Sequence, residues 1–217
     1  MKLPFSLLII SISLFLTGCF FNNNSTPTYK EAEGVVLENG NGVANAEIHI
    51  RNSFDPGGFT QQPAAQNYII NFGIQVEAVY SVSLFRHGSD SVYNTFFEDT
   101  LASGEHSITV PDSLLTNGIL GYEIRSNQDL LTSSLFLVNK PDSLLPGSYP
   151  FTTTNSLGEF SLNAEYLALG ESFTSQTGGF DITDSLKIYI VQDSTIQAER
   201  AVKIKPNQDN FFEIILD

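Results

Sequence analysis

The chain has 217 residues and carries 24 acidic side chains against 10 Lys and Arg, which gives a formal net charge of −14 at pH 7. This charge repels nucleic-acid phosphates and anionic lipid headgroups, so it excludes nucleic-acid binding as a function. The single cysteine excludes an intramolecular disulfide, and the fold must depend on its hydrophobic core.

The chain begins with the features of an export signal. Lys2 supplies positive charge, and residues 3–16 form an apolar stretch of about 14 residues, typical of a signal-peptide core and short for a bilayer-spanning helix. The sequence therefore predicts a cleaved signal peptide over residues 1–18. If the cysteine at the end of this stretch is incidental, the segment is instead an ordinary signal peptide or an uncleaved anchor.

The end of this stretch, Leu16-Thr17-Gly18-Cys19, resembles the lipobox of bacterial lipoproteins. In that family the cysteine thiol is acylated and the chain is cut just before it. The resemblance implies cleavage between Gly18 and Cys19, and membrane attachment through lipid on Cys19. Phe20 stands where an Asp is associated with inner-membrane retention, which favours the outer membrane and leaves the periplasmic or surface face open.

Residues 20–32 are polar and rich in Asn and Thr, and they show no periodicity after Phe20 and Phe21. This composition predicts that residues 19–32 comprise the lipidated cysteine and a flexible tether. Thirteen extended residues reach about 43 Å at about 3.3 Å each, which is enough to lift a domain clear of the headgroups.

From Glu33 onward, apolar and polar residues alternate with the period of β-strands. The clearest runs are residues 47–51, 80–85, 107–110, 186–190, 202–205 and 212–216. In the first run, Ile48 and Ile50 are predicted to point inward and His49 outward. Only residues 164–169 look briefly helical. The pattern predicts an all-β protein built from two small antiparallel β-sandwiches.

Two separated stretches together resemble one family. Residues 33–38 (EGVVLE) and 42–48 (GVANAEI) are similar to the opening of carboxypeptidase regulatory-like, transthyretin-like domains. Residues 152–162 (TTTNSLGEFSL) look like the continuation of that domain, with a tight turn at residues 155–158 and with Phe160 and Leu162 in the core. About a hundred residues separate two pieces that lie about ten to twenty residues apart in that family.

The intervening segment resembles FlgD-like immunoglobulin-type domains, which also occur as sorting domains of type IX secretion. The resemblance is carried by residues 52–56 (NSFDP), 82–85 (VSLF) with Gly88, 101–110 (LASGEHSITV), 117–124 (NGILGYEI) and 135–140 (LFLVNK). Residues 110–112 (VPD) depart from the family's Trp-Asp-Gly. The module is followed by some 67 residues, whereas sorting signals end their chains, so a sorting role is disfavoured.

These resemblances imply a regulatory-like sandwich formed by residues 33–52 plus 151–217 and interrupted by a FlgD-like sandwich at residues 53–150. Insertion at a surface turn costs little, because the entropy of closing a loop grows slowly with its length. One continuous irregular sandwich is the alternative.

Candidate chemical groups are sparse. His49, His87 and His106 are far apart and have no metal-type spacing, so we expect no metal site and no cofactor. No Gly-x-Ser-x-Gly elbow occurs, and we expect no catalytic residues and no enzymatic activity. The recurring Asp-Ser pairs are interpreted as turns.

Aromatic side chains near loops are interpreted mostly as core residues, and an exposed binding platform formed by some of them is the alternative. The candidates near loops are Phe54, Phe59, Tyr93, Phe96, Phe97, Tyr149 and Phe151. The pairs Phe96-Phe97 and Phe211-Phe212 place one ring on each face of a strand, so one ring of a pair becomes an exposed contact wherever a face is left uncovered.

Both resemblances imply an accessory, non-enzymatic role. The favoured hypothesis is an envelope lipoprotein that presents β-sandwich modules for binding or assembly, with other envelope proteins or a glycan as partner. The alternative is a carbohydrate or small-ligand binder of an uptake system.

Overall fold

The computed structural model describes residues 27–55, 68–89, 91–127, 129–175 and 178–217, and these residues confirm the all-β prediction. They form two β-sandwiches, each made of two sheets around its own core. The predicted lipobox and signal peptide lie outside the described residues.

The first sandwich is built from the two ends of the described chain. Its strands are β1 (Ala32–Glu38), β2 (Asn41–Gly42), β3 (Glu47–Asp55), β10 (Thr152–Thr153), β11 (Glu159–Leu162), β12 (Ser172–Ser175), β13 (Gly178–Gln192), β14 (Thr195–Lys203) and β15 (Asn210–Leu216). One sheet has the order β11-β1-β15, with β2 also paired to β1, and the other has the order β10-β3-β13-β12, with β14 also paired to β13. The pairing of β1 with β15 is parallel, which differs from the antiparallel prediction.

The second sandwich lies between these segments in the sequence. Its strands are β4 (Ile69–Ile74), β5 (Ala78–Arg86), β6 (Val92–Leu101), β7 (Gly104–Thr109), β8 (Gly118–Ser126) and β9 (Asp129–Val138). A four-stranded sheet of order β6-β5-β8-β9 packs against the two-stranded sheet of β4 and β7.

Each sandwich has a separate hydrophobic core formed by the inward-facing residues of its strands. The first core includes Ile48, Ile50, Ile188 and Ile190, and the second includes Val82, Leu84, Leu120 and Ile124. Ile119, on β8 of the second sandwich, belongs to the first core, so the two cores approach each other at that strand.

Local sequence signals account for the connections. The predicted turn at residues 155–158 is present, since the Gly158 amide donates to the Asn155 carbonyl at 3.0 Å, and Phe160 and Leu162 are buried as expected. The short α-helix α1 spans Ala164–Leu167. Its N-cap is Asn163, whose side chain accepts a hydrogen bond from the Glu165 amide.

The last residues of the predicted tether contact the first sandwich. The Thr28 carbonyl accepts a hydrogen bond from the Asn207 amide at 2.8 Å, Tyr29 packs against the first core, and Lys30 pairs with Asp209 at 2.9 Å. Only residues before Thr28 are therefore available to act as a free tether.

Candidate functional site

The predicted lipidation residue Cys19 and the cleavage position Gly18 lie outside the described residues, as does Phe59. The three histidines are dispersed: His49 lies on β3, His106 on β7, and His87 in the turn after β5. The described residues contain no group of three or more His, Cys, Asp or Glu side chains placed to hold a metal ion.

The side chain of His49, predicted to point outward from the core, is only 2% exposed. His49 does lie on the face of β3 opposite the core, beside Tyr189 of β13, which is also buried. The connector between the sandwiches (residues 139–151) covers this face, and its Asp142 accepts a hydrogen bond from Arg51 at 2.8 Å. The sheet is thus covered on both sides around His49 and Tyr189, which strand alternation alone does not reveal.

The buried imidazole has one close polar partner, the Glu47 carboxylate at 3.1 Å from Nε2. Burial lowers the pKa of His49, the Glu47 hydrogen bond and charge oppose this effect, and the nearby Lys140 ammonium adds to it. His49 is therefore held mainly as neutral imidazole in the folded protein.

Stability is expected to fall in mild acid because of His49. Since the pKa of His49 is lower in the folded than in the unfolded chain, its contribution is complete above the ordinary value of about 6.5 and is lost as the pH falls through the lowered folded value. We expect the urea midpoint to drop below pH 6.5, and His49→Gln to abolish that part of the drop. Identical pH profiles for both proteins between about pH 5 and 8 would contradict the assignment.

A cluster centred on Arg86 joins the two sandwiches. Arg86 ends β5 of the second sandwich, and its guanidinium donates to the carbonyls of Phe151 at 2.8 Å and Pro150 at 3.1 Å. The guanidinium carbon lies 5.9, 5.0 and 5.5 Å from the ring centroids of Tyr149, Phe151 and Tyr166. Burial lowers the pKa of Arg86, and the neighbouring tyrosines oppose that shift, so the group stays charged in a largely apolar setting.

The turn after Arg86 adds two more contacts. His87 Nε2 lies 2.7 Å from the Glu171 carboxylate of the first sandwich. A Cβ placed on Gly88 would come within 2.8 Å of the Glu165 Cβ, so the turn lies directly against α1. Together with the Arg86 cluster, these contacts define the junction between the sandwiches.

The connector is also fixed to the second sandwich. The Lys140 ammonium is buried and donates to the Asp112 carbonyl at 2.7 Å, and its charge pairs with the Asp112 carboxylate at 3.2 Å. The Lys140 amide donates to Asn117 Oδ1 at 2.7 Å. The connector therefore contacts both sandwiches at defined positions, and these contacts fix the orientation of one sandwich relative to the other.

The aromatic residues near loops that the structure describes mostly pack into the two cores, as the favoured interpretation has it. Phe54 packs against the first core, Tyr93, Phe96 and Phe97 pack against the second core, and Phe151 is buried. Tyr149 stacks on Tyr93 with ring centroids 5.5 Å apart. Among the side chains that the structure describes, the most exposed aromatic ring lies on β15, where Phe211 is 64% exposed while Phe212 packs on the core, as the paired-Phe pattern predicts.

A shallow depression of about 620 Å³ lies on the outer face of the larger sheet of the second sandwich. It is lined by Val79, Ser81, Glu98, Arg125 and Asn127. Arg125 donates to both carboxylate oxygens of Glu123, at 2.7 and 3.0 Å. The lining offers hydrogen-bonding groups to a polar ligand but no aromatic ring on which a sugar could stack.

Within the described part of the chain, no helix is both long and apolar enough to cross a membrane. Comparison of the chain with known protein families, curated proteins and solved structures finds no match.

Proposed function

We propose that this protein is a non-enzymatic, lipid-anchored envelope protein that presents two β-sandwich modules for protein binding or assembly at the outer membrane. In this proposal a FlgD-like module is inserted into a regulatory-like module after β3, which ends at Asp55, and before β10, which begins at Thr152. The lipobox resemblance at residues 16–19 supports the anchor.

The observation that carries this proposal is the junction between the sandwiches. Arg86 of the second sandwich donates to two carbonyls of the connector and lies against two connector rings and the ring of Tyr166 in α1 of the first sandwich. Such contacts fix the relative orientation of two modules, whereas modules joined only by a linker move independently. A fixed pair offers its open sheet faces in a constant geometry, which suits a scaffold that other proteins bind.

Mild crosslinking in cells, followed by purification of a C-terminally tagged chain, tests the proposal. We expect a stoichiometric envelope partner with the wild type. We also expect the Cys19→Ala variant to be absent from the membrane fraction and not to bind that partner, because an unacylated chain has no anchor. Recovery of the membrane-bound wild type without any partner would contradict an assembly role.

The alternative, a carbohydrate or small-ligand binder, is favoured by the polar lining of the depression beside Arg125. Glycan binding by the wild type that is lost in Arg125→Ala would select this alternative over the assembly role.

A further inference from the structure

The outer face of the sheet formed by β11, β1 and β15 is open and combines apolar with acidic side chains. The pairing register arranges this face in three rows across the strands. In order, the rows are Ser161-Glu33-Phe211, Glu159-Val35-Glu213 and Gly42-Leu37-Ile215. We call this surface the β15 face.

The apolar members of the β15 face are unusually open to solvent. Phe211 is 64% exposed and Ile215 is 63% exposed. Leu157, whose backbone lies over Gly42, is 65% exposed. Val35 and Leu37 are partly exposed between them. Large apolar side chains grouped on one sheet face, rather than scattered singly, mark an interaction surface.

The charges on the β15 face have one sign. Glu33, Glu159 and Glu213 alternate with the apolar residues, and β1, β11 and β15 contain no Lys or Arg. At the edge, Arg200 of β14 donates to the Glu213 carbonyl rather than to its carboxylate. The Glu159 carboxylate accepts a hydrogen bond from Asn155 Nδ2 at 2.9 Å, but no described Lys or Arg forms an ion pair with any of the three carboxylates, so their charge remains available to an external cation.

We propose that the β15 face docks a partner protein whose surface intersperses Lys or Arg with apolar residues. The apolar side chains would form the centre of the contact, and the carboxylates would pair with the partner's cations and set its register. The same carboxylates disfavour an anionic lipid surface as the occupant. This inference deepens the proposed function, on which it rests, by naming the docking face and the chemistry of the partner.

Site-specific photocrosslinking in cells tests the proposal with the full-length lipoprotein. A p-benzoyl-phenylalanine replaces Phe211, and a matched control replaces Leu130, which is 54% exposed but belongs to the second sandwich. We expect an adduct from position 211 whose crosslinked partner segment contains Lys or Arg beside apolar residues, and no such adduct from position 130. An adduct to lipid, to residues 20–26 of the same chain or to a second copy would overturn the proposal, as would the absence of any adduct.

Two variants then separate this inference from the proposed function. With the purified partner, Glu213→Lys and the double variant Phe211→Ser/Ile215→Ser should each weaken binding by about tenfold or more, whereas Leu130→Ser should not. If these variants leave a Cys19-dependent complex unchanged, the β15 face is the wrong surface and the assembly role stands. If the wild type forms no complex, the proposed function itself fails.

Discussion

Replacing Arg86 with Ala is expected to destabilise the protein by about 2–4 kcal/mol. The substitution removes two charge-assisted hydrogen bonds to backbone carbonyls, each worth about 1.5–3 kcal/mol, and leaves those carbonyls without their donor. It also removes the contact of the guanidinium with three rings, worth about 0.5–2 kcal/mol. Release of a buried charge offsets part of this loss, so the contributions do not simply add.

The matched control for Arg86 is Arg125→Ala, which removes an arginine from the open sheet face of the same sandwich. We expect it to leave the midpoint of urea unfolding close to that of the wild type, because exposed ion pairs stabilise little. Arg86→Lys should not restore stability fully, since an ammonium cannot serve both carbonyls and stack between rings as a planar guanidinium does. Equal midpoints for Arg86→Ala and Arg125→Ala would show that the junction does not depend on Arg86.

The second large effect is expected at Gly158, in the turn before β11. Its φ angle is +78°, and a Cβ there would lie 2.4 Å from the Val36 carbonyl oxygen and 2.7 Å from the Val43 amide nitrogen. An alanine in this left-handed conformation adds backbone strain of about 1–2 kcal/mol. Its Cβ also clashes with backbone atoms, which cannot move away as a flexible side chain can, and this adds about 1–3 kcal/mol. We therefore expect Gly158→Ala to destabilise the protein by about 2–5 kcal/mol.

Gly40 separates these two contributions. It has the same φ of +78°, but nothing lies within 4 Å of the position of its Cβ. Gly40→Ala should show the strain of about 1–2 kcal/mol alone, so the difference between the two variants measures the clash. Thermal unfolding followed by circular dichroism compares them, and equal melting temperatures would mean that the turn does not lie against β1 as described.

The sequence predicts the strands and tight turns of this protein well, because these features are set by neighbouring residues. Alternation identifies Ile48 and Ile50 as inward-facing, and the turn at residues 155–158 follows from its Asn and Gly. The parallel pairing of β1 with β15 was not predicted, since it joins segments about 180 residues apart and no local pattern encodes strand direction.

The junction and the buried side of the β3-β13 sheet were also missed. Alternation assigns His49 to the face away from the core, but it cannot show that the connector covers that face. Arg86 looks like an ordinary surface charge at the end of a strand, and its ring partners lie more than 60 residues away. The exposed ring of Phe211 could be predicted from the sequence, because alternation along β15 places it on the face opposite that of Phe212, which packs on the core.

The most direct test of a lipid-anchored, exported scaffold is mass spectrometry of the amino-terminal peptide from protein extracted from membranes with detergent. The account predicts a mature chain that begins at Cys19, with a diacylglyceryl group on its thiol and no trace of residues 1–18. A chain that retains Gly18, or that carries an unmodified Cys19, would contradict it.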